Sequence, residues 1–282
     1  NRSVVTTPTE IVKYMVDKTL SKVCEGKTPS EILDISVADI ACGSGIFLEE
    51  AFAYLQDYCV QWYICNGQTD HLIETGIDLY KLPLQEKKDI LCSCIYGIDI
   101  DIHAVEVAKF SLLIKLIEDE TAPSVSEVVP SLPDLGDNIQ FGNSLVSQTE
   151  LNGISGANHQ MMEIAPFDWS TINNGCGFDV IIGNPPYVNT EGMHALLPSA
   201  EVEIYKKKYK TSHKQFDKYF IFIEQAINKI NENGLVCYIV PNKFFKIGAG
   251  EKLRNLIAKE RMLVSLDDFG DAQLFEDKTI YS

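Results

Sequence analysis

Short apolar runs alternate with amphipathic stretches along almost the whole chain. The runs at 37–41, 95–99, 139–142, 178–183, 235–240 and 263–269 are short and nearly continuous, and a last one, 279–281, lies at the chain end. Continuous rather than alternating hydrophobicity over such lengths predicts strands buried on both faces. Between them, residues 10–23, 47–63, 84–92, 103–117, 215–230 and 250–260 carry helical periodicity. In 215–230 the apolar positions Phe216, Tyr219, Phe220, Ile223, Ile227 and Ile230 fall on one helical face, which reads as core. Strands alternating with helices predict an α/β domain with a mostly parallel sheet. Residues 121–137, with three prolines, and 148–177, rich in Asn, Gly and Ser, read as loops. No shift in composition marks an internal boundary, so residues 1–282 read as one domain with insertions.

Composition narrows the class. The 282 residues, 45% of them hydrophobic, are enough for one large buried core. No apolar run approaches the ~18 residues needed to span a bilayer. Pro8, Glu10 and Asp17 stand where a signal peptide would need an apolar centre. The expected location is cytoplasmic, with no membrane association. Eight cysteines include no CxxC pair, so neither a zinc site nor a disulfide scaffold is expected, and no metal. The net charge of −16 opposes tight binding to duplex DNA through this chain's own surface. Lys206, Lys207, Lys208 and Lys210, interleaved with Tyr205 and Tyr209, form one basic cluster; on charge alone it reads as a solvated helix face.

Two constellations carry chemistry. In the first, run 37–41 leads into Cys42-Gly43-Ser44-Gly45 and then a helix. A strand, a glycine turn and a helix let the backbone approach a ligand where side chains would block it. The dinucleotide fingerprint needs a third glycine, and Leu48 occupies that position, which disfavours NAD and FAD. The second run ends in Gly97-Ile98-Asp99, and an acidic residue at that strand end commonly accepts from ribose hydroxyls. The usual gap from the glycine turn to this residue is ~20 residues. Here it is longer, so residues 66–94 read as an insertion.

In the second constellation, run 178–183 ends at Asn184-Pro185-Pro186-Tyr187. Two prolines remove two N–H donors and hold the preceding residues extended. The Asn184 amide oxygen and the Pro185 carbonyl remain as acceptors, suited to a substrate presenting an NH2 group. Tyr187 adds an aromatic face on which a planar group can stack.

With these residues in place, the chain resembles the gamma class of DNA adenine-N6 methyltransferases, particularly the methyltransferase part of type IIG restriction–modification enzymes. Thr7-Pro8, followed by Ile11, Val12 and Met15, resembles that family's N-terminal cofactor-contacting segment, placed within residues 1–30. Asp39-Ile40-Ala41-Cys42-Gly43-Ser44-Gly45 resembles the first motif, Gly97-Ile98-Asp99-Ile100 the second and Gly142-Asn143-Ser144-Leu145 the third. The resemblance implies a class I, Rossmann-like fold with a seven-stranded sheet whose last strand is antiparallel and truncated. It implies S-adenosyl-L-methionine as cofactor, held by Thr7, Pro8, Asp39, Ala41, Gly43, Gly45, Asp99, Ile100, Asn143 and Asn184. Asn184, Pro185, Pro186 and Tyr187 would be catalytic, with Tyr187 and Phe275 holding an adenine flipped out of double-stranded DNA. A target-recognition domain follows the last motif in that family, and in type IIG enzymes a nuclease domain precedes the first. Neither lies within residues 1–282, so the chain is expected to be part of a longer protein. Protein glutamine methyltransferases share Asn-Pro-Pro-Tyr and are the main alternative. N4-cytosine methyltransferases usually carry serine in place of Asn184.

Overall fold

The computed structural model describes residues 7–120, 132–152, 160–259 and 261–270. The apolar runs become β1 (Val37–Asp39), β4 (Ile95–Asp99), β5 (Ile139–Phe141), β6 (Phe178–Gly183) and β7 (Ile230–Tyr238) of one sheet in the order β5-β4-β1-β6-β7. All four pairings are parallel, with Val37 opposite both Ile95 and Val180, Gly97 opposite Ile139, and Gly183 opposite Tyr238. The chain builds outward from β1 in one direction through β4 and β5, then returns to β1's other side with β6. The order therefore reverses between β1 and β6, and the crevice beyond the carboxyl ends of such strands is where open α/β sheets bind ligands.

Strand residues alternate between two cores, as the period of two requires. Val37, Val180 and Ile182 pack with α1 (Thr9–Cys24), α2 (Ile46–Cys65), α3 (Leu84–Cys94) and α4 (Ile102–Ile117). Ala38, Ile40 and Ile181 pack with α5 (Ser199–Lys208) and α6 (Lys218–Lys229). Of the expected apolar face, Phe216, Tyr219 and Phe220 are buried, whereas Ile223, Ile227 and Ile230 are only half-buried. The insertion at 66–94 forms a hairpin, β2 (Ile73–Gly76) with β3 (Leu79–Lys81), followed by α3, whose Ile90, Leu91 and Cys94 lie in the first core.

Several expectations need correction. Among the described residues the main sheet has five strands, not seven. Residues 263–269 pair with no strand, and Leu263, Val264 and Leu266 are exposed. Side chains tie this segment down instead: Asp267 accepts from Lys18 and Tyr14 of α1, and Asp268 from Asn242. A trough of about 640 Å³ separates it from the outer edge of β7. A sheet edge is an unfilled set of backbone donors and acceptors, and an apolar run gains little there without cover on both faces. Residues 279–281 lie outside the described residues. β7 begins at Ile230, ahead of the expected 235, because Ile230 pairs with Phe178 and Leu235 with Val180, the residues between forming an irregularity. The loop expected at 148–177 contains the short helices Gln148–Leu151 and Met161–Ile164.

Candidate active site

The turn after β1 is fixed by its neighbours. The Cys42 N–H donates to the Ile98 carbonyl at 3.0 Å, and the Gly43 N–H donates to Asp99 Oδ2 at 2.8 Å. Gly43 and Gly45 hold φ of 54° and 91°, the left-handed region that glycine enters without strain. A Cβ on Gly45 would lie 3.0 Å from that of Ala108, so this glycine also lets α4 approach the turn. Leu48, the residue that disfavoured a dinucleotide, is fully buried. A Cβ on Gly97 would come within 2.8 Å of its side chain, so Gly97 supplies the room that Leu48 occupies.

Asp99 sits at the end of β4 with one backbone donor on each oxygen: Gly43 on Oδ2, and Asp101 on Oδ1 at 2.9 Å. A carboxylate has about four acceptor positions, and with the Ile100 N–H as a third backbone donor at least one remains for a further donor. Burial raises the Asp99 pKa, and the N–H groups of Asp101, Gly43 and Ile100 oppose the rise. Ile100, the next residue, leaves its apolar side chain exposed at the rim.

Asp39 ends β1 almost fully buried, with Oδ1 accepting from the Ala41 N–H at 3.0 Å. Burial pushes its pKa up to about 7, with the charge of Asp99 adding to the effect and the Ala41 N–H opposing it. Its carboxylate lies over Gly183, where a Cβ would meet it at 2.6 to 2.8 Å. Gly183 is thus the residue that lets β1's acidic end reach the start of the Asn-Pro-Pro-Tyr turn.

That turn is anchored on three sides. Asn184 Nδ2 donates to Thr7 Oγ1 at 3.0 Å, while Thr7 is buried and the Pro8 carbonyl accepts from Ile11 and Val12 to start α1. The Tyr187 hydroxyl reaches Asn184 Oδ1 closely and the Ile239 carbonyl at 2.8 Å, and its ring meets Tyr219 edge-on at 5.9 Å. Burial raises the Tyr187 pKa. The Lys218 N–H donates to the Val188 carbonyl at 2.8 Å, and the Tyr219 hydroxyl to the Pro241 carbonyl at 3.1 Å.

Of the residues singled out from sequence, Thr7, Asp39, Ala41, Gly43, Asp99 and Asn184 to Tyr187 gather at the crevice between β1 and β6. Phe275 lies outside the described residues. Asn143 enters a buried network instead: its Nδ2 donates to Glu201 Oε1 at 3.0 Å and its Oδ1 accepts from the Leu145 N–H at 3.1 Å. The Tyr205 hydroxyl donates to the same Glu201 oxygen, and Lys218 Nζ stands 3.8 Å from it. Burial lowers the Lys218 pKa, opposed by Glu201 and Asp99. The sequence hid this network because Glu201 and Tyr205 fall beside what reads as a charged helix face. Tyr205 and Tyr209 are buried, while Lys207 pairs with Glu203 at 2.6 Å and Lys208 with Glu150 at 3.0 Å. The basic cluster therefore offers no row of free aromatics to a nucleic acid.

With this geometry in view, comparison with known proteins is decisive at the family level. The Eco57I restriction-modification methylase family matches residues 93–275. The chain belongs to that family. It is 45% identical over all 282 residues to the type II restriction enzyme and methyltransferase RM.Eco57I of Escherichia coli, and spans 27% of that protein's length. Among solved structures, the type I restriction-modification methyltransferase subunit from Streptococcus thermophilus superposes with TM-score 0.55 and 15% identity, over 99% of this chain and 44% of that one. A nuclease-deletion mutant of the type ISP restriction-modification enzyme LlaGI, in complex with a DNA substrate mimic, gives TM-score 0.62 and 16% identity, over 99% of this chain and 22% of that one. The fold is that of class I S-adenosylmethionine-dependent methyltransferases. Among the described residues of this methylase-family chain, no helix is long and apolar enough to cross a membrane, and no three His, Cys, Asp or Glu side chains form a metal cluster.

Proposed function

We propose that this chain transfers a methyl group from S-adenosyl-L-methionine to N6 of an adenine flipped out of double-stranded DNA, within a restriction–modification protein. One observation carries the reading. Asn184 spends its amide nitrogen on Thr7, which turns Oδ1 to the opposite side, next to two prolines that have no N–H to offer. The result is an acceptor surface, at the switch point, for an amino group.

The residues present fit the cofactor. A Cβ on Gly43 would meet nothing within 4 Å, so the glycine turn borders open space. Asp99 keeps acceptor capacity for a ribose hydroxyl, and Ile100 offers an apolar surface beside it for the adenine ring. Thr7 and Pro8 close the opposite side, with Asp39, Ala41, Gly45 and Asn184 between. S-adenosylmethionine supplies a methyl group already activated on a sulfonium, so no protein nucleophile is needed.

The protein's task is to position the amine. Its lone pair is delocalised into the purine ring. Hydrogen bonds from N6–H to Asn184 Oδ1 and the Pro185 carbonyl favour rehybridisation and direct the lone pair, which is catalysis by alignment and charge complementarity. Pro186 stiffens the turn. The amino group is unreachable within a stacked duplex, so the base must leave it. Tyr187, its ring fixed by its hydroxyl and by Tyr219, stacks on the extruded base, and Phe275 is proposed to contact it too.

The test is Asn184→Ala in the full-length protein, followed by nucleoside mass spectrometry of DNA from expressing cells. N6-methyladenine should disappear, with a far smaller loss of cofactor affinity. N4-methylcytosine in the wild-type DNA, or methylated glutamine in a protein alongside unmodified DNA, would overturn the reading.

A further inference from the structure

Among the described residues, two buried side-chain polar atoms have no hydrogen-bond partner, and one is the Tyr238 hydroxyl. A buried hydroxyl left unpaired is costly, and native proteins leave few of them. Its position is informative. Tyr238 ends β7 directly opposite Gly183 in the parallel register. Asp39 reaches the same glycine from β1, with its carboxylate over the place a Cβ would fill. The negative charge of Asp39 is felt at the Tyr238 hydroxyl. Two buried polar groups, an anionic acceptor and an unpaired hydroxyl, thus flank Gly183 one residue before Asn184.

The rest of the crevice indicates what lies between them. Asp99, with its spare acceptor capacity, is on β4, on the far side of β1 from β6 and β7. The crevice runs from Asp99 on β4 across β1, past Asp39, to β6, so a nucleoside held at Asp99 would have room for a 5′ substituent along it. A buried carboxylate favours a cation or a strong donor. The amino-acid end of S-adenosylmethionine offers an ammonium and a carboxylate together, matching an Asp that accepts and a Tyr that donates.

We propose that the Tyr238 hydroxyl is a binding group for the amino-acid end of the cofactor, acting beside Asp39. The proposal rests on the cofactor reading above and adds a contact to it. Nothing in the sequence marks Tyr238, one aromatic in an apolar strand.

Tyr238→Phe removes only the hydroxyl. Calorimetry on the wild type and the variant would use three ligands: S-adenosylmethionine, S-adenosylhomocysteine, and 5′-methylthioadenosine, which lacks the amino-acid part. The first two should bind the variant about 10- to 100-fold more weakly, as for loss of one hydrogen bond to a charged group. Methylthioadenosine should bind both proteins alike, and the melting temperature without ligand should be unchanged or higher. If the variant binds all three like the wild type, the hydroxyl is satisfied by water and the inference fails alone. An equal loss for methylthioadenosine also overturns it, placing Tyr238 at the nucleoside. If the wild type binds none of the three, the cofactor reading itself falls.

Discussion

The amide nitrogen of Asn184 donates to the hydroxyl of Thr7 across 177 positions of sequence, at 3.0 Å. The segment leading into α1 is thereby latched onto the turn that follows β6, and the Asn184 amide is held in one orientation. The Tyr187 hydroxyl, donating to Oδ1 at the amide's other end, favours the same orientation. Thr7→Val keeps the shape and removes the acceptor, so kcat for methyl transfer by the full-length protein should fall by roughly 3- to 10-fold, the worth of one ordinary hydrogen bond. KM for DNA should change little, and Thr7→Ser should restore the rate. Steady-state kinetics of the three proteins decides; an unchanged kcat in the valine variant would show that Tyr187 suffices.

Asp99 braces the Gly43 turn and, under the proposed function, also presents acceptors to a ribose. Asp99→Ala loses both. Binding of S-adenosylmethionine should weaken by about 10- to 100-fold, since hydrogen bonds to a charged acceptor are worth more than neutral ones. NAD should bind neither protein well, because Leu48 fills the space a third glycine would leave. Calorimetry with both ligands tests this, and NAD binding tighter than the methyl donor's would refute the pocket.

Asp39 makes stability depend on pH in a definite direction. Its folded-state pKa, about 7, lies above the ordinary 3.8, so the folded protein holds this proton more tightly than the unfolded chain. The associated stability is fully present below pH 4 and is lost as pH rises through 7. Asp99 from β4, Tyr238 from β7 and Cys42 from the turn are the titratable groups around it. Asp39→Asn removes the titration. Relative to wild type, the cofactor-free variant should therefore gain stability between pH 5 and pH 8, by at most about 3 kcal/mol, the two units from pH 5 to the folded pKa at about 1.36 kcal/mol each. Denaturant melts of both proteins at the two pH values measure the difference. A gap that does not widen with pH would mean that Asp39 is ionised throughout.

Duplex binding by residues 1–282 alone should be weak and without sequence preference. The net charge is −16, and within the basic cluster Lys207 and Lys208 already pair with carboxylates. What few phosphate contacts form should vanish as salt rises, because each neutralised phosphate adds to the salt slope. Base extrusion costs a few kcal/mol that a loosely held duplex does not return, so methyl transfer by this polypeptide should be very slow. Fluorescence titration across a salt series would show it. Tight, site-specific binding would locate recognition within the catalytic domain itself, for example in 189–212.

The sequence by itself determined the order of strands and helices, the glycine turn at Gly43 and Gly45, and the Asn-Pro-Pro-Tyr turn. These are local matters: a buried strand must be apolar, a left-handed turn takes glycine, and two prolines remove donors wherever they stand. The bulky Leu48, where a dinucleotide fingerprint has its third glycine, was equally readable. Only the tertiary structure decided which side chains meet. Thr7 with Asn184, Asp39 over Gly183, and Tyr238 opposite it come from β1, β6, β7 and the segment before α1, and no spacing in the chain encodes their approach. Burial was hidden for the same reason. Glu201 looks like any surface carboxylate until α5 packs it against Asn143, and its three donors become visible only then. The apolar run at 263–269 failed in the opposite sense: its composition suits a strand, but pairing requires a neighbour, and that is a property of the sheet.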